Sequence, residues 1–258
     1  MSQTDAINLL WRANVLLQAV LCAKILATGL WRLYRRFTAY LVGLTAESII
    51  LAAVLAHHVG LYSKVWVATR SVLILLQILA VSEIFSRWAE SHRNIGTFGQ
   101  RLFAILGALA MGFAIATVPV SGSAKQWDWI IYATTVANRA AQFGVGAFMI
   151  LMLGFFAKFG GPVAPNLRRH AWAMSAFSLA NTISYFLLTS RVVVFGNIVL
   201  QVVPAGALIF WIYGLKRTGE EPPKEEYDPR VGAEAEETNR QMLEFAETVR
   251  QQRERGRP

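Results

Sequence analysis

Residues 65–86 read VWVATRSVLILLQILAVSEIFS, a run of 22 residues in which only Arg70 and Glu83 carry charge. A bilayer's hydrocarbon core takes about 20 predominantly apolar residues per helix. No water is available there to satisfy backbone amides, so a run of this length is predicted to be a membrane-spanning helix. The same pattern recurs on both sides of it, at residues 7–30, 38–57, 100–118, 129–156, 170–189 and 193–214. The expected fold class is all-α: a polytopic membrane protein built as a bundle of seven transmembrane helices.

Composition agrees with that reading. Of 258 residues, 55% are hydrophobic and 16% are charged, against roughly 25% charged in soluble domains. Eight Trp and seven Tyr suit two interfacial aromatic belts. The start, MSQTDAINLLW, has no basic region ahead of its apolar run. It is therefore read as the entry to the first span rather than as a signal peptide.

The loops set a direction. Arg32, Arg35 and Arg36 follow the first span, Arg87, Arg93 and Arg101 the third, Lys158, Arg168 and Arg169 the fifth, and Lys216 and Arg217 the seventh. These are 11 basic residues, against Lys64, Lys125 and Arg191 in the alternate loops. Short cytoplasmic loops are the basic ones, so the N-terminus is expected outside and the C-terminus in the cytoplasm. The expected localisation is a bacterial inner membrane, crossed several times. The net charge of +9 then reflects topology, and nucleic acid is not expected as a partner.

Residues 218–258 change character, with a net charge of −4 against +13 for the preceding 217 residues. Pro222, Pro223 and Pro229 within dense charge make a poorly folded linker. A helix is expected over 233–255, with Met242, Leu243, Phe245, Ala246 and Val249 on a narrow apolar stripe. That stripe is read either as a frayed, solvated helix or as a docking surface for a partner or for the bundle itself.

Polar groups at mid-membrane depth cost roughly 2.5–3.5 kcal/mol each when charged, so they are the candidate site. Glu47 and Arg139 lie near the middle of the second and fifth spans and invite a buried pair. Asn138, Gln142, Asn181, Asn197 and Gln201 are expected to add to one polar cavity or to serve ordinary interhelical hydrogen bonds. Arg12 and Arg70, nearer the outer boundary, are read as snorkelling side chains. Glu83 and Arg87, four apart, are expected to form an ion pair at the inner face. Arg168, Arg169 and His170 are candidate contacts for phospholipid headgroups.

No catalytic, cofactor or metal-ligating residues are assigned. The single cysteine, Cys22, and the scattered histidines His57, His58, His92 and His170 offer no ligand spacing. A retinal-type lysine is absent from the last two spans.

The segments ILLQILAVSEIFSRWAESHRNIGTFGQRLFA at 74–104, PVAPNLRRHAWAMSAFSLAN at 162–181 and IFWIYGLKRTGEE at 209–221 resemble a family of bacterial, chiefly acidobacterial, seven-helix membrane proteins. The resemblance covers nearly all of residues 1–219 and implies fold and topology, since no activity is established for that family. It implies Glu83, Arg139, Asn166, Arg168 and His170 as matching positions.

The functions expected are, first, a non-enzymatic sensor or scaffold engaging a cytoplasmic or membrane protein through basic loops and tail. The second is a transporter or channel for a small solute or ion, working through the Glu47/Arg139 cavity. A lipid-modifying enzyme ranks below both. Membrane lipid is the one partner expected under every reading.

Overall fold

A computed structural model of the chain describes residues 3–90, 105, 112, 129–158, 163–189 and 193–220. The chain divides into two units, 1–222 and 223–258. The Pro-rich linker beyond Glu220 and the helix expected over 233–255 fall outside the described residues.

Six long helices make up the described bundle: α1 (Gln3–Ala27), α2 (Arg35–His57), α3 (Tyr62–Glu90), α4 (Trp129–Lys158), α5 (Pro165–Thr189) and α6 (Val193–Gly214). All six are long and apolar enough to cross a membrane, and the protein is a multi-pass, all-α membrane protein. The expected count of seven is corrected to six among the described residues. The helices overlie the spans expected at 7–30, 38–57, 65–86, 129–156, 170–189 and 193–214. The span expected at 100–118 lies outside the described residues, save Ile105 and Gly112. The direction drawn for the two termini counted loops on both sides of that span, so it is withdrawn along with the count.

The helices close into a ring. Each of α1 to α5 packs on the next, and α6 returns to α1. α1, α3, α4 and α6 run one way, and α2 and α5 run the other. Asn14 meets Gln201 while Lys24 meets Ile212, so α1 and α6 are parallel. α3 and α4 are parallel as well: Tyr62 and Trp66 face Thr135 around one pocket, Gln77 meets Gln142, and Phe85 meets Phe148.

Local chemistry sets the breaks. Gly29 closes α1 with φ of +74°, a left-handed conformation that only glycine adopts without penalty. A single 3-10 turn, Leu30–Arg32, then leads into α2. Pro165 opens α5, where its missing N–H costs nothing. α6 continues through Pro204, and one turn before it the Gln201 carbonyl accepts from Asn14 Nδ2 at 2.9 Å.

The outward faces are apolar: Leu9, Leu16, Ile49, Val72 and Leu75 are all more than half exposed. In lipid such a surface carries no penalty. α5 is 56% buried over its spanning window and α4 44%, against 22% for each of α1, α2 and α3. The interior is therefore centred on α4 and α5, where most of the buried polar side chains also lie.

Candidate functional site

Glu47, on the inward face of α2, is 3% exposed, and its Oε2 lies 2.8 Å from Arg70 Nη2 on α3. Its other oxygen accepts from Thr69 Oγ1 at 3.3 Å. This is the single ion pair among the described residues, and it corrects the expected Glu47–Arg139 partnership. The reason is topological, since α2 and α3 form a hairpin around His57–Tyr62. Residues at similar distances from that turn meet. Glu47 is ten residues before His57 and Arg70 eight after Tyr62. Arg70 is thus the ion-pair partner of Glu47 rather than a snorkelling side chain. Tyr40, Tyr62 and Tyr185 lie in electrostatic range of its guanidinium.

Two of those tyrosines, Tyr62 and Tyr185, also line a pocket of about 280 Å³ between α3, α4 and α5. Ser63, Trp66, Ile131, Thr135 and Leu188 complete its wall. The wall is largely aromatic and aliphatic.

Deeper in the bundle, Gln77 and Gln142 exchange amide hydrogen bonds at 3.0 and 2.7 Å. Gln77 Nε2 also donates to Ser178 Oγ at 3.0 Å. Three helices are thereby fastened by one closed amide pair. Asn138, one turn from Gln142 on α4, is wholly buried, and neither of its amide atoms has a hydrogen-bond partner among the described residues. Arg139 is 1% exposed, with Tyr132 of the same helix in electrostatic range.

The remaining expected members disperse. Gln201 pairs with Asn14 across α6 and α1 at 2.9 Å. Asn181 donates back to the Phe177 carbonyl of its own helix at 2.8 Å, and Asn197 is part-exposed on α6. The polar residues thus form separate groups on α1/α6, α2/α3 and α3/α4/α5. Neighbouring hydroxyls are mostly absorbed locally: Thr134, Thr135, Ser175, Thr182 and Ser184 each donate to the carbonyl four residues earlier.

The opposite end of the bundle carries Arg32, Arg35, Arg36, Arg87, Arg168, Arg169, Lys216 and Arg217. Glu83 does not pair with Arg87 there. Its Oε2 accepts from the backbone N–H groups of Arg36 and Phe37, both at 3.0 Å, so a carboxylate of α3 caps the N-terminus of α2. Free first-turn N–H groups and the helix dipole draw the carboxylate to this site, while Arg87 is engaged elsewhere. Arg87 instead donates to the Leu33 carbonyl and lies 4.9 Å over the Tyr34 ring.

His170 is fully buried, which corrects its expected place among headgroup contacts. Its ring lies 4.5 Å from Tyr34, 4.6 Å from Phe37 and 6.2 Å from Trp211, and neither ring nitrogen has a hydrogen-bond partner among the described residues. Arg168, two residues earlier, is exposed. Arg169 is part-buried and donates to Asn166 Oδ1 at 3.3 Å.

Sequence reasoning passed over a polar clasp at this end. Asn166 Nδ2 donates to the Lys216 carbonyl and to Glu220 Oε1, both at 2.6 Å. Lys216 N–H returns to Asn166 Oδ1 at 3.2 Å. Tyr34 donates to Glu220 Oε2 at 2.9 Å. Burial raises the Tyr34 phenol above its ordinary range, and the charge and hydrogen bond of Glu220 raise it further, while Arg87 opposes them. The 3-10 turn Arg217–Glu220 is thereby tied to the start of α5 and to the turn before α2. The aromatic layer of Tyr34, Phe37, His170 and Trp211 lies beneath it and fills this end.

No family model, no curated protein and no solved structure matches the chain. The resemblance described above therefore rests on its quoted segments alone.

Proposed function

We propose that this protein moves a small polar solute or ion across a bacterial inner membrane. The carrying observation is the pocket between α3, α4 and α5, whose Tyr62 and Tyr185 also lie in electrostatic range of Arg70, the partner of the buried Glu47. Charged groups in a membrane interior are expensive, and they mark substrate or ion paths in many spanning bundles. The cost is offset here by pairing, and a pocket stands beside the pair. Asn138 and the Gln77–Gln142 pair extend polar groups further along α3 and α4.

The proposal differs in its residues from the Glu47/Arg139 cavity expected from sequence. Arg70 is the working cation, with Tyr62, Thr135 and Tyr185 at the entrance. The sensor or scaffold reading drew its support from the loops and from residues 223–258, most of which lie outside the described residues, so the described geometry favours transport over it. A protein partner for the tail remains a separate proposal, tested by co-purification with and without residues 232–255.

The experiment is flux into proteoliposomes. Full-length protein is reconstituted and challenged with a panel of monovalent salts, small uncharged solutes and amino acids. At least one of these is expected to cross faster than into protein-free vesicles. Ser63→Trp, which fills the pocket, is expected to lower that flux at least tenfold without lowering thermal stability. Flux at the protein-free level across the whole panel, or flux unchanged in the filled variant, overturns the proposal.

A further inference from the structure

The last turn of α6 gathers positive charge from three separate elements. Lys24, at the end of α1, donates from Nζ to the Ile212 carbonyl. Arg169, in the early turns of α5, lays its side chain along α6, where a Cβ on Gly214 would sit 3.1 Å from Arg169 Cδ. Lys216, just past α6, is fixed by its backbone to Asn166, while its side chain is exposed. All three cationic groups thus converge on residues 212–216, and Lys216 and Arg169 lie in electrostatic range of Lys24.

None of the three forms an ion pair among the described residues, and the nearest acid, Glu220, reaches Arg169 only through Asn166. The one ion pair there is Glu47–Arg70, and Glu220 is engaged by Tyr34 and Asn166. Like charges held together near a low-dielectric surface repel unless an anion joins them. The same turn also presents Phe210, 45% exposed, and Tyr213, 78% exposed, and Leu26, two residues past Lys24 on α1, is 55% exposed. An aromatic and apolar flank next to a cationic cluster, at the end of membrane-spanning helices, matches a lipid rather than a free ion.

We propose that Lys24, Arg169 and Lys216 form a binding site for the phosphate of an anionic phospholipid headgroup, with its acyl chains along Leu26, Phe210 and Tyr213. The site is independent of the transport reading, because it lies at the other end of the bundle from the pocket. It retains Arg169 from the headgroup contacts expected from sequence, adds Lys24 and Lys216, and leaves out the buried His170.

The test is native mass spectrometry of the detergent-solubilised full chain titrated with phosphatidylglycerol, phosphatidylcholine or inorganic phosphate. Wild type is expected to prefer phosphatidylglycerol. Each surface cation is worth about 1 kcal/mol toward an anionic lipid, or about fivefold. Lys216→Gln, whose exposed head leaves packing intact, is therefore expected to weaken phosphatidylglycerol binding about fivefold. The triple variant K24Q/R169Q/K216Q is expected to weaken it about a hundredfold, and Arg168→Gln less than twofold. Wild-type affinity in both Lys216→Gln and the triple variant overturns the site. Equal binding of the two lipids, or displacement of phosphatidylglycerol by millimolar inorganic phosphate, overturns the assignment to an anionic lipid.

Discussion

The two ends of the bundle solve the same problem in different ways. Each must place polar groups inside a surface built for lipid. At the basic end, polar side chains bind backbone as well as one another and close gaps between elements: Glu83 caps α2, Asn166 holds the chain after α6, and Glu220 joins Asn166 to Tyr34. Beneath them, aromatic rings fill the interior around His170. At the other end, polar side chains bind one another, as in Glu47–Arg70 and Asn14–Gln201, and space remains between α3, α4 and α5. Polar groups spent on backbone lock a structure, whereas polar groups paired across helices beside a pocket leave a solute something to bind.

The sharpest way to break that contrast is to remove one partner of the buried pair. Arg70→Ala leaves Glu47 without its counter-ion, a change that costs about 3–5 kcal/mol in buried settings. The double variant E47Q/R70Q removes both charges and is expected to recover much of that loss. Unfolding of the detergent-solubilised protein in increasing denaturant measures both. A single variant no less stable than exposed Arg168→Ala means that the pair is solvated and does not hold α2 to α3.

This pair also shows where sequence reading stops. Six spans are legible because hydropathy is a one-dimensional property, and α1 to α6 overlie apolar runs. Partnership is not one-dimensional. Glu47 and Arg139 share a depth, yet α2 packs on α3 rather than α4. A signal was present nonetheless in the hairpin, whose turn at His57–Tyr62 puts Glu47 and Arg70 at similar distances from it. His170 was misplaced for a related reason. It follows Arg168 and Arg169 in sequence, but successive helical residues turn by about 100°, which carries the third of the run inward. The clasp left almost no trace in composition, because Asn166, Gly219 and Glu220 each look like ordinary loop chemistry until α5 and α6 are placed side by side.

The clasp gives the next effect in size. Glu220→Ala removes the acceptor for both Tyr34 and Asn166, and hydrogen bonds to a charged group contribute about 1.5–3 kcal/mol. Gly219→Ala acts on the same contact by crowding, since its Cβ would sit 2.4 Å from Asn166 Oδ1. Overpacking of that kind costs about 1–3 kcal/mol. Both variants are expected to speed proteolysis within residues 217–220 and to leave pocket-dependent flux at the wild-type level. Flux falling in step with clasp release would mean that the ends are coupled, and the contrast between a locked end and a working end would fail.

The smallest effect carries a pH signature that no other substitution here shares. Tyr34→Phe deletes the phenol that donates to Glu220, at a cost of about 1.5 kcal/mol near neutral pH. The phenol's folded value is raised above the ordinary value near 10, first by burial and then by Glu220. A group whose folded value is raised holds its proton more tightly when folded, so its stabilisation is complete below the unfolded value and is lost as pH rises beyond it. Wild type is therefore expected to exceed Tyr34→Phe in stability at pH 8. It should lose that margin as pH climbs through 10 and above, while the variant shows no such loss from this position. Paired denaturant titrations at neutral and alkaline pH read the margin directly. A margin that stays constant across the range would mean the Tyr34 phenol ionises alike in the folded and unfolded chain, and that the basic end is open to water rather than sealed beneath its clasp.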